Sequence, residues 1–172
     1  MKRAFQTKEI AVLAAMKKAP AAALKSLLTF SSSRIDKRIE NLKKVFLLLM
    51  GAAGNKLKQD LIEQQEMVMN LSDILTEIFV LESTFLRAEK SRIDKNEKAG
   101  LFLTMAEVQA YDAYDKIRVA AREVINAYST GLENKMMKKF VKNLVPDYSI
   151  NAKEKRREIA AYLTAENGYT IS

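Results

Sequence analysis

The fold of this chain is decided by residues 60–92, which read DLIEQQEMVMNLSDILTEIFVLESTFLRAEKSR. The stretch contains no Gly and no Pro, and its apolar residues recur mostly in steps of three and four. That spacing places them on one stripe of an α-helix. The predicted stripe consists of Met67, Leu71, Ile74, Leu75, Ile78, Leu81 and Phe85. Such a helix is roughly 45–50 Å long, so it needs a long partner.

The ends and the outer face of this stretch fit the same helix. Asp60 and Glu63 have the spacing of a capping box, which predicts that they satisfy two free amides at the helix start. The face opposite the apolar stripe is polar, as a solvated face should be. It carries Glu66, Asn70, Asp73, Glu77 and Arg87.

Residues 97–130 supply the long partner helix. Their predicted apolar stripe consists of Phe102, Met105, Val108, Tyr111, Ile117, Ala121, Val124 and Tyr128. Gly131 follows this stretch closely, and we expect it to end the helix at the C′ position, where glycine is favoured.

The flanking segments predict further helices. Residues 34–57 carry a third long stripe, in which Gly51 and Gly54 predict close packing or fraying near the end. Residues 133–143 form a short basic helix before Pro146, and Asn151 caps a last helix that runs to about residue 165. The stripe of the 34–57 helix consists of Ile35, Ile39, Leu42, Phe46, Leu49 and Ala53. We therefore expect an all-α, antiparallel helical bundle over residues 31–172, with residues 1–30 as a basic linker containing short helices.

The composition excludes several kinds of chemistry. The 172 residues include no Cys and no His, which removes thiolate nucleophiles, Ser-His-Asp triads and the usual zinc ligands. Two carboxylate pairs, Asp73 with Glu77 and Asp112 with Asp115, have helical spacing, but di-metal sites in bundles also use His. A solvated acidic face explains these pairs better. We predict no catalytic, cofactor-binding or metal-binding residue on this chain.

The location of the protein is predicted from its apolar segments and its lack of Cys. The longest apolar run, Val45–Met50, is far too short to span a bilayer, and no secretory signal is evident at the N-terminus. A chain without Cys also fits a reducing compartment. We expect a cytoplasmic protein.

Charge is distributed unevenly along the sequence. Residues 1–58 hold 13 Lys and Arg against three acidic residues, whereas residues 59–130 hold eight against 13. A basic front end fits an anionic membrane, nucleic acid or an acidic partner domain, and it equally fits a solvated helix face. The acidic centre interrupts any continuous nucleic-acid footprint, so we consider nucleic acid an improbable partner.

Four features together resemble one family. Lys2-Arg3-Ala4 is followed by Glu9-Ile10, and a basic helix leads into the long helix that begins around Gln64-Gln65-Glu66. A charged loop then precedes the Ala- and Tyr-rich stretch of residues 99–128. This order resembles the C-terminal helical extension of acyl-CoA dehydrogenases of the very-long-chain type. The resemblance covers residues 2 to about 130.

The resemblance implies that the chain is part of a longer flavoprotein of fatty-acid β-oxidation. The catalytic region of that family binds FAD and uses a glutamate base to remove the α-proton of an acyl-CoA thioester. No position in this chain matches those residues, so none is assigned. The family also implies that the extension packs on the catalytic domain, that homodimers suffice, and that the leading segment attaches to membrane.

A second hypothesis comes from a different class of protein. The chain would then be a stand-alone helical adaptor. Its basic residues 1–30 would bind a protein partner or an anionic membrane surface.

Overall fold

The computed structural model describes residues 34–166, which form five α-helices and one 3₁₀ helix and include no strand. The predicted linker and short helices of residues 1–30 lie outside the described residues. The helices are α1 (Arg34–Leu57), a 3₁₀ helix (Lys58–Glu63), α2 (Gln65–Ile93), α3 (Ala99–Tyr128), α4 (Gly131–Leu144) and α5 (Ala152–Ala165). The predicted all-α bundle of three long helices with shorter flanking helices is confirmed.

The long helices α2 and α3 form the centre of the bundle. The five-residue loop 94–98 joins them, so they run antiparallel, and they make the most extensive helix–helix contact among the described elements. Ile74 and Leu81 on α2, with Ile117 and Val124 on α3, have no solvent exposure. Helix α1 packs across both central helices, α4 contacts α3 and α1, and α5 packs on α3.

Helix α1 begins and ends at the predicted residues. Five of its six predicted stripe residues are buried, Phe46 is half-buried, and Val45 joins the buried set. The expected close packing or fraying at Gly51 and Gly54 is wrong. A Cβ built on either glycine meets no atom within 4 Å, and the helix continues through both positions to Leu57.

The predicted capping box at Asp60 and Glu63 is wrong. Both residues lie in the 3₁₀ helix, which the chain enters through Lys58 at a φ of 51°. Helix α2 begins only at Gln65, and the side chain of its N-cap residue, Gln64, makes no capping hydrogen bond. The chain must reverse direction between α1 and α2, and the tight turn required here displaces the local capping signal.

The inward stripe of α2 contains all but one of the predicted residues. Leu75 is 50% exposed, and the stripe continues instead through Ala88 and Ser91. Successive residues are about 100° apart around a helix. Leu75 therefore lies at the edge of the sector centred on Ile74 and Ile78, and one helix edge stays open to solvent.

The inward face of α3 is rotated from its predicted position over the first half of the helix. The large residues Met105, Val108 and Tyr111 are only partly buried. The buried positions are Ala106, Ala110, Ala113 and Tyr114. Small side chains allow two helix backbones to approach closely, whereas a stripe drawn through the largest apolar residues overlooks them.

The boundary between α3 and α4 also differs from its prediction. Helix α3 ends at Tyr128, and the next residue, Ser129, is extended and donates its Oγ hydrogen to the Ile125 carbonyl at 2.6 Å. Gly131 has a φ of 62° but is the first residue of α4, so it does not occupy the C′ position of α3. At α5 the prediction is confirmed, because Asn151 Oδ1 accepts a hydrogen bond from the Glu154 amide at 3.3 Å.

Two leucines one helical turn apart test the inward face of α2. Leu71→Ala should lower the free energy of unfolding by about 2–5 kcal/mol, because it leaves a cavity in the core. Ile78→Ala and Ile117→Ala should behave in the same way. Leu75→Ala removes the same atoms from a half-exposed site and should cost less than about 1 kcal/mol. Urea denaturation measures all four values, and equal losses for Leu71 and Leu75 would contradict the assigned face.

Substitution of the two glycines of α1 tests how much helix propensity contributes to the free energy of unfolding. Gly51→Ala and Gly54→Ala should each raise the free energy of unfolding by about 0.5–1 kcal/mol, because both sites are helical and uncrowded. Gly131→Ala is the matched control. Its positive φ strains any L side chain, so this change should lower stability by about 1 kcal/mol. Thermal unfolding followed by circular dichroism gives the three signs, and a loss at Gly51 would refute the first expectation.

Candidate docking surface

Six of the exposed large apolar side chains of α1 and α2 lie on one side of this helix pair. We call this set the α1–α2 face; it consists of Leu47, Met50, Val68, Leu75, Phe79 and Leu86. Phe79 and Leu86 are 68% and 59% exposed, which is unusual for such side chains at the surface of a folded domain.

On α2 the four members form a single row. Steps of seven, four and seven residues bring them within about 40° of one another around the helix axis. The row lies about 100° from the centre of the buried stripe, so the residues that fill the core cannot cover it. From Val68 to Leu86 the row extends about 27 Å along the surface.

The ion pair between Lys43 and Glu82 connects the two helices of the face. Since α1 and α2 run antiparallel, equal steps along each helix from this pair reach positions at the same level. Met50, seven residues after Lys43 on α1, therefore lies level with Leu75, seven residues before Glu82 on α2. Three residues on, the half-buried Phe46 lies level with Phe79. This register therefore places apolar side chains of α1 and α2 at the same levels beside the ion pair.

The charge balance of the face favours contact with another protein. Lys43 and Glu82 are each about one-third exposed and neutralise each other. Such a surface pair contributes at most about 1 kcal/mol to stability. Because the two charges are paired, a protein that docks on the face would bury no unpaired charge there. Contiguous exposed apolar surface of this kind typically marks a protein–protein interaction site. The arrangement can bury apolar surface against a partner.

Three of the four carboxylates considered as metal ligands, Glu77, Asp112 and Asp115, take part in ion pairs. Glu77 accepts hydrogen bonds from Lys116 Nζ at 2.5 Å and Gln109 Nε2 at 3.4 Å, beside a shallow open cleft of about 630 Å³ between α2 and α3. Asp112 pairs with Arg156. Over residues 34–166, no group of three or more acidic, His or Cys residues is placed to hold a metal ion.

Tyr114 and Tyr128 are buried tyrosines of α3. Tyr114 lies 5.7 Å from the Tyr148 ring, and Arg38 Cζ lies 5.4 Å from the Tyr114 ring centroid. Burial raises the pKa of Tyr114, and the positive charge of Arg38 opposes that rise. Burial also raises the pKa of Tyr128, and the nearby Glu133 carboxylate adds to the effect. Both phenols stay protonated at neutral pH and act as packing groups.

Helices α4 and α5 carry many basic residues, some of which form ion pairs. Lys155 binds Glu107 at 2.6 Å, and Arg157 binds Glu154 of its own helix. The exposed lysines of the preceding helix are Lys135, Lys138, Lys139 and Lys142. The ring of Tyr148, which lies between these two helices in the sequence, has the Arg38 guanidinium carbon 4.1 Å from its centroid. None of the helices described in residues 34–166 is long and apolar enough to cross a membrane.

Sequence reasoning did not identify the α1–α2 face. A signal was nevertheless present, because α2 carries a second apolar row beside the one that fills the core. Leu75 was assigned to the inward stripe, and Phe79 and Leu86 were assigned to neither face. What the sequence lacks is the register between α1 and α2, which depends on a contact between residues 39 positions apart.

Known proteins provide an independent comparison. A family model described as acyl-CoA dehydrogenase, C-terminal domain, matches residues 41–143. A probable acyl-CoA dehydrogenase of Bacillus subtilis is 28% identical over 134 residues, which cover 77% of this chain and 23% of that protein. The crystal structure of an acyl-CoA dehydrogenase complexed with FAD from Bacillus anthracis matches with a TM-score of 0.75 and 30% identity. That match covers 79% of this chain and 24% of the other, so the chain spans about a quarter of the length of these relatives.

Proposed function

Because the chain belongs to the family of acyl-CoA dehydrogenase C-terminal domains, we propose that it is the accessory helical domain of an FAD-dependent acyl-CoA dehydrogenase of fatty-acid β-oxidation. It packs on the catalytic domain that precedes it on the polypeptide and supplies no catalytic or FAD-binding residue. The very-long-chain type of dehydrogenase is part of this proposal. The α1–α2 face is the observation that carries the docking role.

The sizes of the relatives support a partner on the same polypeptide. About three quarters of each relative has no counterpart in this chain, and the Bacillus anthracis protein is described as complexed with FAD. A catalytic domain of that size offers the large complementary surface that an exposed apolar face requires. Stable interfaces bury roughly 800 Å² on each partner, and a row about 27 Å long across two helices has suitable dimensions.

The proposed docking also bears on the number of subunits in the full-length enzyme. A helical domain that covers part of the catalytic domain removes that area from contact with further subunits. We therefore propose that the full-length enzyme is a homodimer, as the family resemblance implies.

Residues 1–30 are the basis of the second candidate role. They contain six Lys and Arg against a single Glu, together with a modest set of apolar residues. Near an anionic surface each basic residue contributes about 1 kcal/mol, so this mixture suits a segment held at a membrane partly by charge. We propose peripheral contact with the cytoplasmic membrane surface through residues 1–30. The same segment would serve the stand-alone adaptor of the alternative hypothesis.

The docking role is tested by a charged substitution in the full-length protein. Phe79→Asp should separate the thermal unfolding of the helical domain from that of the catalytic domain, because burying an unpaired carboxylate in the interface is unfavourable. Limited proteolysis should then release the helical domain faster. Subunit assembly, measured by light scattering, should change as well.

Val119→Asp is the matched control for this experiment. Val119 is 51% exposed on α3 and lies outside the α1–α2 face, so the full-length variant should behave like the unmodified enzyme. Phe79→Asp should leave the stability of the isolated chain unchanged, and that chain should bind no flavin. Identical behaviour of both full-length variants would reject docking through this face. Stoichiometric FAD binding by the isolated chain would reject the accessory role.

The membrane contact is tested with vesicles. The chain should sediment with anionic vesicles at low salt, and it should lose that binding at high salt or when residues 1–30 are removed. Zwitterionic vesicles are the lipid control. Equal sedimentation with and without residues 1–30, or none in either case, would exclude the segment as a membrane anchor.

A further inference from the structure

Helix α5 buries fewer residues than any other described α-helix. Only Ala152 of its 14 residues is buried. Ile159, Tyr162 and Leu163 are partly buried, and α3 is the helix on which α5 packs. The apolar contribution to its attachment is therefore small.

Two ion pairs also join α5 to α3. Lys155 Nζ lies 2.6 Å from Glu107 Oε2, and Arg156 Nη2 lies 2.5 Å from Asp112 Oδ1. The hydrogen bond to Glu107 raises the pKa of Lys155, as expected for an ammonium group that is stabilised by its partner. Both pairs are partly exposed, so dissolved salt weakens them. Near the far end of α5, the Tyr162 ring lies 6.0 Å from Lys98 Nζ.

The strip of α3 beneath α5 is partly apolar. The two acidic partners, Glu107 and Asp112, border a segment that includes the half-buried Val108 and Tyr111. Contacts at Lys98 and Glu107 indicate that α5 runs antiparallel to α3, with its C-terminal end towards the start of that helix. The strip would become more exposed if α5 moved away.

The segment that precedes α5 is firmly attached. Val145 is fully buried, and Tyr148 lies beneath Arg38 with a separation of 4.1 Å between the guanidinium carbon and the ring centroid. Asp147 pairs with Arg118 of α3. The buried and stacked contacts of this segment therefore end between Tyr148 and the N-cap residue Asn151, and the more exposed contacts of α5 begin there. An opening that begins there would leave α1–α4 in place.

We propose that α5 is a detachable strap, which leaves α3 as a unit when salt screens the Lys155–Glu107 and Arg156–Asp112 pairs. Its release uncovers the Val108–Tyr111 strip without unfolding the rest of the bundle. Local openings of this kind involve segments with few buried contacts. The strap does not involve the α1–α2 face. Rejection of the proposed docking role would therefore leave the strap proposal unaffected, and the reverse is also true.

Hydrogen exchange measured by mass spectrometry on the full chain tests the strap. The double variant Lys155→Gln with Arg156→Gln removes both ion pairs and keeps good helix formers in place. Its α5 amides should exchange about tenfold faster than those of the unmodified chain, which corresponds to about 1.4 kcal/mol. Protection in the other helices should not change. High salt should accelerate α5 exchange in the unmodified chain and have little further effect in the variant.

The same helix provides the matched control. Lys153→Gln with Arg157→Gln removes the same charge from exposed positions, which helical spacing places on the side of α5 away from α3. Arg157 pairs with Glu154 of the same helix. Exchange of α5 in this control should stay close to that of the unmodified chain. Equal acceleration in both double variants would show that α5 responds to total charge and would overturn the proposal. Exchange of α5 at the rate of global unfolding, independent of salt, would also overturn it.

Discussion

The close approach of α2 and α3 is the constraint on which the rest of the structure depends. The contact between α2 and α3 buries a row of alanines at positions 106, 110 and 113 of α3 and larger side chains of α2, including Ile78 and Leu81. Because alanine loses no side-chain entropy in a helix and occupies little space, the two backbones can lie close along their lengths. Every other described helix packs on this pair. A large residue in the alanine row would separate the pair and displace the helices around it.

The flanking helices α1 and α5 are attached by different forces. Helix α1 buries six apolar side chains, and that contribution does not weaken when salt is added. Helix α5 buries one and depends on ion pairs, which salt screens. Conditions that leave α1 in place can therefore release α5. The packing of α1 on α2 and α3 should therefore be insensitive to salt, whereas the packing of α5 on α3 should weaken as salt is added.

Sequence patterns were most informative where structure is determined locally. The bounds of α1 and the Asn151 cap follow from residues within one or two helical turns. The capping box at Asp60, the inward position of Leu75 and the C′ role of Gly131 failed, because the turn from α1 to α2, the rotation of α2 and the entry into α4 are set by distant contacts. The same limit applies to the candidate site. The apolar side chains of the α1–α2 face are visible in the sequence, whereas their alignment requires the Lys43–Glu82 register.

The α1–α2 face and the α5 strap lie on different parts of the chain relative to the family match. Residues 47–86, which contain the α1–α2 face, lie inside the segment matched by the family model, whereas α5 lies beyond its end at residue 143. The face thus belongs to the part of the chain that the family shares, as a surface for docking on a common catalytic domain should. The strap lies outside that part. The α1–α2 face presents apolar surface, whereas ion pairs that salt screens join α5 to α3, so the two regions should respond to different changes of solution conditions.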